Sequence, residues 1–242
     1  MPQSSLMKWL NKSSTVREAP PASNIQPQDI AAPPPPQQKA NDQNVADETK
    51  PPSSPVTKMS SLPPNVELRS CRKEDIPHLK RLTALLLPIP YSDKFFREIL
   101  EDPLINEITL LAVWHDDPSM AAKQKGRLVG AIRCRLLASP PTTAQMDGPM
   151  LYLSTLALLS PYRGHGIAAS LLRTVTRRAI EDYGISSVGA HVWEANGEGL
   201  EWYRKRGFRE VGREEGYYRR LDPSSAVVMQ RDVRVGDLLG EG

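Results

Sequence analysis

The stretch that decides the fold is YRGHGIA, residues Tyr162–Ala168, which joins two segments of different periodicity. The apolar run before it, Met150–Leu158, predicts a β-strand, and the amphipathic segment after it, Ala169–Tyr183, predicts an α-helix. A glycine turn at such a junction leaves backbone N–H groups free at the helix start, where the helix dipole also favours negative charge. The pattern Arg-x-x-Gly-x-Ala has the chemistry of a pyrophosphate site, but taken alone it favours a plain structural turn, and the rest of the chain must decide.

The chain has 242 residues of two distinct kinds. Thirteen of its 23 prolines lie in residues 1–64, a segment also rich in Ser, Gln and Asn. Such a segment buries too little apolar surface to offset the entropy of ordering, so we predict a disordered tail. Residues 65–233 have the length and composition of one folded domain, and residues 234–242 are predicted to form a flexible C-terminal tail.

Charge and cysteine content exclude several classes of protein. The net charge is only +3 and no large basic block is present, which argues against direct binding of nucleic acid. No segment approaches the roughly 20 apolar residues that a membrane span requires. Cys71 and Cys134 are far apart and form no CxxC motif, so we predict no metal site and no disulfide framework, which fits a reducing compartment.

The order of elements predicts an α/β or α+β domain with helices on both faces of a sheet. The predicted helices are Leu79–Leu87, Ser92–Leu100, Ala169–Tyr183 and a fourth that Asn196 caps and that ends near Arg206, before Gly207. The predicted strands are Glu67–Ser70, Ile108–His115, Leu128–Leu136, Met150–Leu158, Ser187–Trp193, Phe208–Val211 and Ala226–Val233. Together they give the order β-α-α-β-β-β-α-β-α-β-β.

Several separated motifs in this order resemble a known family. The Arg163-x-x-Gly166-x-Ala168 turn and the downstream stretch from Asn196 to Phe208 resemble the GNAT acetyltransferase superfamily. PIPYSDKF from Pro88, LYLSTL from Leu151 and YYRRLDP from Tyr217 resemble the NatE type of N-alpha-acetyltransferase within it. The resemblance implies a GNAT fold, with a mixed, mostly antiparallel sheet, a splayed strand pair and helices on both faces. It also implies transfer of acetyl from acetyl-CoA to protein N-termini that begin with Met.

The resemblance assigns the cofactor residues. The backbone amides of Gly164, His165, Gly166, Ile167, Ala168 and Ala169 would hold the pyrophosphate, and Arg163 would add charge or else lie in solvent. Leu156, Ala157 and Leu158 occupy the splayed strand that pairs with the pantetheine arm, and the Leu156 amide would polarise the thioester carbonyl. Asn196 would cap its helix and reach the cofactor. Tyr203 would steady the leaving thiolate, or simply pack in the core.

The resemblance also assigns the catalytic and substrate residues. Tyr152 and His191 would collect the proton of the substrate amine through an ordered water, and an ordinary imidazole pKa near 6.5 suits His191 to that task. The pocket for the first side chain would be formed by Leu87, Pro88, Ile89 and Tyr91. Tyr217 and Tyr218 would cover the peptide backbone, or else pack a hairpin. Leu87 stands where the NatE pattern usually has an aromatic residue, which predicts an altered preference at later substrate positions.

Three functions remain open at this point. The first is an active N-terminal acetyltransferase acting on nascent or mature proteins in the cytoplasm. The second is a weakly active subunit that binds a NatA-type scaffold and its catalytic subunit, and the third is a lysine acetyltransferase with a nuclear role. The stretch Gln3–Leu10 resembles the motif that docks onto the PCNA sliding clamp, which would favour a nuclear location, or it is an unstructured start.

Overall fold

The computed structural model describes residues 62–120, 125–138 and 148–239. The predicted tail up to residue 61, with the clamp-like stretch Gln3–Leu10, lies outside the described residues. The last three residues of the predicted tail, 62–64, differ from that prediction and join the folded domain: Leu62 packs against the largest core cluster, and the Val66 amide donates to the Pro63 carbonyl at 3.0 Å.

In the part of the chain that the structure describes, seven strands form one mixed sheet in the order β1-β2-β3-β4-β5-β7-β6. Neighbouring strands are antiparallel except β4 and β5, which are parallel. The strands are β1 (Val66–Ser70), β2 (Thr109–Trp114), β3 (Arg127–Leu137), β4 (Met150–Leu158), β5 (Ser187–Trp193), β6 (Arg209–Glu214) and β7 (Ala226–Asp232). The predicted fold class is confirmed.

Helices cover both faces of this sheet. They are α1 (Ile76–Leu86), α2 (Asp93–Glu101), α3 (Pro103–Glu107), α4 (Ile167–Tyr183), α5 (Gly197–Arg204) and α6 (Val235–Leu239). Along β2, Leu110 joins the core beneath α4 and α5, whereas Leu111 joins the core beneath α1 and α2, as the two-residue period of a strand requires. Within the described ranges no helix is long and apolar enough to cross a membrane.

Two short helices are present that the sequence did not predict. Helix α3 begins at Pro103, after an Asp102 side chain that accepts from the Leu104 amide at 2.9 Å, and five residues are too few to show a helical period. Where a flexible C-terminal tail was predicted from residue 234, helix α6 is held by a buried ion pair of Arg231 and Asp237 at 2.7 Å. This partner lies outside the helix, so the segment's own pattern could not reveal it.

Candidate active site

Strands β4 and β5 diverge and form a fork. Their pairing runs only from Met150↔Ser187 to Leu153↔Ala190, although β4 continues to Leu158 and β5 to Trp193. A β-bulge lies at the branch, because Leu153 and Thr155 oppose consecutive residues of β3 and leave Ser154 without a partner. The Ser154 carbonyl instead accepts a hydrogen bond from the Tyr91 hydroxyl at 2.9 Å. The predicted splayed strand pair is therefore present, with Tyr91 at its base.

The open edge of β4 presents alternate backbone groups to the fork. The Leu159 amide donates to the Val129 carbonyl of β3 at 2.9 Å. Since backbone groups alternate sides along a strand, Ala157 also faces β3, whereas Leu156 and Leu158 face the fork. Leu156 thus lies as expected for an amide that polarises a carbonyl in the fork. Ala157 differs from the expectation, because β3 takes its backbone groups.

The turn after β4 forms a cradle of amides beside the fork. The first intrahelical bond of α4 runs from the Ser170 amide to the Gly166 carbonyl at 2.9 Å, so the amides of Ile167, Ala168 and Ala169 have no acceptor within the helix. Gly164 and Gly166 have φ of 80° and 76°, and a Cβ at Gly164 would point into open space. Free amides at a helix start with room for an anion fit the pyrophosphate of acetyl-CoA.

Arg163 and His165 hold the shape of this turn. The Arg163 side chain donates from Nε to the Leu158 carbonyl at 3.2 Å, and Nδ1 of His165 lies 2.8 Å from the Arg163 carbonyl. Arg163 is exposed, as in the solvent alternative, although its bond to the Leu158 carbonyl ties the side chain to the end of β4. Its positive charge therefore stands beside the cradle.

A chain of polar contacts joins three strands and a loop beside the branch. The Tyr152 hydroxyl lies 3.1 Å from Nδ1 of His191 and 2.8 Å from the Tyr217 hydroxyl. The Tyr217 ring also stacks on the imidazole, with centroids 4.3 Å apart and an interplanar angle of 7°. On the other side of the ring, Nε2 of His191 lies 3.0 Å from a carboxylate oxygen of Glu214.

Burial keeps both predicted catalytic side chains neutral near pH 7. It raises the pKa of Tyr152 well above its ordinary value of about 10, although the hydrogen bond from Tyr217 works in the opposite direction. Burial lowers the pKa of His191, and the carboxylate of Glu214 opposes part of that shift. His191 therefore carries the available proton-accepting nitrogen, and Tyr152 is a phenol that can pass a proton to it.

A cluster of buried, mostly apolar side chains lies against this chain of contacts, where the pocket for the first substrate side chain was predicted. Leu87 and Ile89 are buried with Tyr152, Tyr217, Tyr218 and Ala226, and Tyr91 packs at the edge of the cluster. Pro88 is exposed. The structure thus brings together the predicted α1–α2 loop and the predicted tyrosine loop, which are more than a hundred residues apart in sequence.

The two tyrosines of that loop differ in position. Tyr217 is at the polar chain, whereas Tyr218 is fully buried and its hydroxyl donates to the His191 carbonyl at 3.1 Å. Tyr218 has no exposed surface to lay over a peptide, so the alternative of hairpin packing describes it better. It anchors the strand that carries His191.

Asn196 and Tyr203 are both buried in the core. The Asn196 side chain accepts from the Gly199 amide at 3.0 Å, which confirms the predicted helix cap. The Tyr203 ring makes edge contacts with Trp202 and Phe208, each at 5.0 Å between centroids, as in the core-packing alternative. The cofactor roles of both residues stay predictions.

Sequence reasoning missed the group behind Tyr91. The Tyr91 ring stacks on the Phe95 ring, with centroids 3.7 Å apart. The buried Arg133 guanidinium lies over the Phe95 ring, 4.2 Å from its centroid, and donates to the Glu98 carboxylate at 2.6 Å. The arginine was hidden within an apolar strand pattern, and only its pairing across two elements reveals it. This group holds Tyr91 at the base of the fork.

Glu214 was missed for a different reason. The predicted strand ended at Val211, whereas β6 continues to Glu214, opposite Ala226 of β7. An outward charged residue at a strand end carries no sequence signal of its own. Glu214 could have been found only from the pairing of β6 with β7 and of β7 with β5, which together place it near His191.

Comparison with known proteins agrees with this geometry. The model of the acetyltransferase (GNAT) family matches residues 79–208, more than half of the chain. The chain belongs to the GNAT acetyltransferase family. The family resemblance inferred from the turn and the later motifs is thereby confirmed.

Individual relatives narrow the family. The chain is 31% identical over 169 residues to N-alpha-acetyltransferase 50 of Danio rerio, covering 70% of this chain and 89% of the relative. It is 33% identical over 170 residues to the probable N-acetyltransferase san of Drosophila melanogaster, covering 70% and 82%. Among solved structures, Arabidopsis thaliana Naa50 in complex with the bisubstrate analogue CoA-Ac-MVNAL has 28% identity and a TM-score of 0.56, covering 70% of this chain and 99% of that one.

Proposed function

We propose that this GNAT acetyltransferase transfers acetyl from acetyl-CoA to the α-amine of protein N-termini that begin with Met. The observation that carries the proposal is the Tyr152–His191 contact, which lies at the branch of the β4–β5 fork and against a cluster of buried, mostly apolar side chains. The similarity to N-alpha-acetyltransferase 50 and to a structure whose analogue joins CoA to a Met-Val peptide supports it.

The amide cradle at the start of α4 binds the pyrophosphate of acetyl-CoA, and Arg163 adds positive charge beside it. Acetyl-CoA supplies a thioester-activated acetyl group. The Leu156 amide, which faces the fork, is placed to donate to a carbonyl oxygen that gains negative charge during acyl transfer. Because this donor belongs to a strand backbone, it needs no rearrangement when that charge develops.

Proton removal falls to the polar chain below the fork. A protein α-amine has a pKa near 8, so much of it is protonated at neutral pH and must lose a proton before attack. The neutral His191 ring receives that proton through the Tyr152 hydroxyl, which is hydrogen-bonded to Nδ1. Tyr217 stacks on the imidazole ring and is hydrogen-bonded to the Tyr152 hydroxyl, so it fixes the positions of both side chains.

The apolar cluster supports a preference for N-termini that begin with Met. Leu87 and Ile89 offer an apolar wall that suits an unbranched methionine side chain. A lysine side chain would bring an amine of pKa near 10, which demands stronger deprotonation, and a narrow channel for its stem. The wall of leucine, isoleucine and tyrosines is therefore better matched to an N-terminal methionine.

We extend the proposal to partners and location on the NatE resemblance alone. The enzyme would act in the cytoplasm on nascent or mature N-termini, beside a NatA-type scaffold and its catalytic subunit. A nuclear fraction would follow if Gln3–Leu10 docks onto the PCNA clamp. Co-purification with a NatA-type scaffold tests the first of these, and loss of clamp binding on Trp9→Ala tests the second.

A peptide panel tests the function. The purified chain and acetyl-CoA are incubated with peptides that start Met-Leu or Met-Ala, with peptides that start Ser or Ala, and with N-blocked peptides that carry one internal lysine. We expect the highest kcat/KM for the free Met starts. Transfer to lysine alone would overturn the substrate class, and acetyl-CoA binding without transfer to any peptide would favour the weakly active scaffold-bound subunit.

Deleting residues 1–61 is expected to leave peptide acetylation within about twofold of the full chain, because every residue of the fork, the cradle and the apolar cluster lies beyond the cut. The cut is placed before Leu62, which packs on the core. Steady-state rates with the Met-Leu peptide measure the effect. A collapse in rate, with the shortened chain still folded, would show that the first 61 residues belong to the catalytic unit.

A further inference from the structure

One charged group touches the catalytic histidine from a strand that is not its neighbour in the sheet. Glu214 ends β6, while His191 lies on β5, and β7 runs between the two strands. The Glu214 carboxylate reaches over β7 to within 3.0 Å of Nε2 of His191. The His191 side chain is 6% exposed and that of Glu214 is 51% exposed, so the carboxylate meets a buried ring from the solvent side.

We propose that Glu214 is a positioning residue for acetyl transfer, which fixes His191 in the tautomer whose Nδ1 accepts the Tyr152 proton. The proposal rests on the proposed function for its catalytic meaning. A carboxylate only accepts hydrogen bonds, so Nε2 must carry the hydrogen. A neutral imidazole has one N–H, and Nδ1 is therefore left as the acceptor facing Tyr152.

This single choice orients the whole chain of contacts. The Tyr152 hydroxyl donates to Nδ1, so its oxygen is free to accept from the Tyr217 hydroxyl at 2.8 Å. In the opposite tautomer Nδ1 would donate to Tyr152, and the unprotonated nitrogen would be Nε2, which faces Glu214 and cannot take the proton that Tyr152 must pass on. Glu214 thus determines the direction in which protons move at the fork.

The carboxylate also compensates the charge that forms. The proton leaves the substrate nitrogen for the Tyr152 oxygen, directly or through one water, as the Tyr152 proton moves to Nδ1. His191 becomes an imidazolium and later gives one proton up to solvent. Of the described groups near the ring, Tyr152 on β4 and Tyr217 and Tyr218 of the β6–β7 loop are neutral. Arg135 on β3 is the cross-strand partner of Tyr152, and Glu214 supplies the negative charge.

Glu214→Gln is the informative variant, because an amide can donate or accept and so removes both the charge and the tautomer preference. We expect turnover to fall about tenfold, as for loss of part of general-base catalysis. We also expect the acid limb of the turnover–pH profile to move to lower pH. The sign follows because the carboxylate favours the imidazolium, so without it the pKa of His191 falls further.

Glu215→Gln is the matched control. It makes the same charge change one residue away, on a carboxylate that accepts from the Ser225 hydroxyl at 2.6 Å. We expect its turnover and its acid limb to match those of the unmodified chain. A full rate and an unmoved acid limb in Glu214→Gln would overturn the proposal, as would the same shift in both variants.

Nitrogen-15 NMR of the imidazoles tests the tautomer without any activity measurement. The chain has four histidines, and His191→Ala identifies the signal of His191. We expect a proton on Nε2 in the unmodified chain and a mixture of tautomers in Glu214→Gln. A proton on Nδ1 in the unmodified chain would overturn the role of Glu214, whereas failure of peptide acetylation with the Nε2 tautomer intact would count against the proposed function alone.

Discussion

His191→Ala is expected to lower the turnover of Met-Leu peptide acetylation by about a hundredfold, the size of effect that general-base catalysis supplies. The variant removes the nitrogen that receives the Tyr152 proton at 3.1 Å, and the substrate amine then has only bulk water as its base. The amide cradle at the start of α4 does not involve this side chain. The affinity for acetyl-CoA should therefore change little, and single-turnover kinetics should place the defect in the chemical step.

His78→Ala is the control for this experiment. His78 is exposed near the start of α1, away from the fork, so its loss should leave turnover unaltered. A second comparison uses Tyr152→Phe and the double variant with His191→Ala. Because both side chains belong to one proton path, the double variant should be hardly slower than either single one. Unchanged turnover in His191→Ala, or fully multiplicative losses, would remove His191 from its role.

Gly166→Trp is expected to weaken acetyl-CoA binding by at least about a hundredfold, because the indole fills the space before the free amides of α4. Gly166 precedes the helix with φ of 76°, a conformation that side chains adopt only with strain. Isothermal titration with acetyl-CoA measures the loss. Circular dichroism in parallel establishes that the variant retains its secondary structure.

Gly184→Trp is the control that distinguishes backbone strain from blockage of the amide cradle. Gly184 ends the same helix with φ of 62°, so the substitution has a comparable backbone cost at the end that holds no free amides. We expect normal acetyl-CoA affinity in this variant. Normal affinity in Gly166→Trp as well would refute the assignment of the turn to the pyrophosphate.

Elements whose pattern is local could be predicted well. Strands β4 and β5 have the predicted bounds, Met150–Leu158 and Ser187–Trp193. Each is a largely apolar run flanked by strand-breaking residues, which mark where the strand begins and ends. Helix α3 and helix α6 were not predicted, since five residues show no periodicity. The Asp102 cap and the Arg231–Asp237 ion pair that hold them become apparent only in space.

The residues of the candidate site also differ in how far the sequence could predict them. The cradle residues Gly164 and Gly166 and the helix-start amides come from one contiguous stretch, so their spacing predicts their chemistry. Tyr152 and His191 could be proposed only through the family resemblance, because an isolated strand histidine is more often a satisfied core residue. Glu214 had neither a local pattern nor a motif, and Tyr218 had a motif whose packing the sequence left open.

By itself the sequence determined the strand–turn–helix junction, the anion cradle and through them the family, because all of these depend on residues adjacent along one backbone. Only the tertiary structure decided the proton path. Tyr152 and Tyr217 are 65 residues apart in sequence, and Glu214 reaches His191 across β7. The physical reason is that a sheet brings its strands together through long-range pairing, so side chains that share a face meet according to strand order and register, which no local period records.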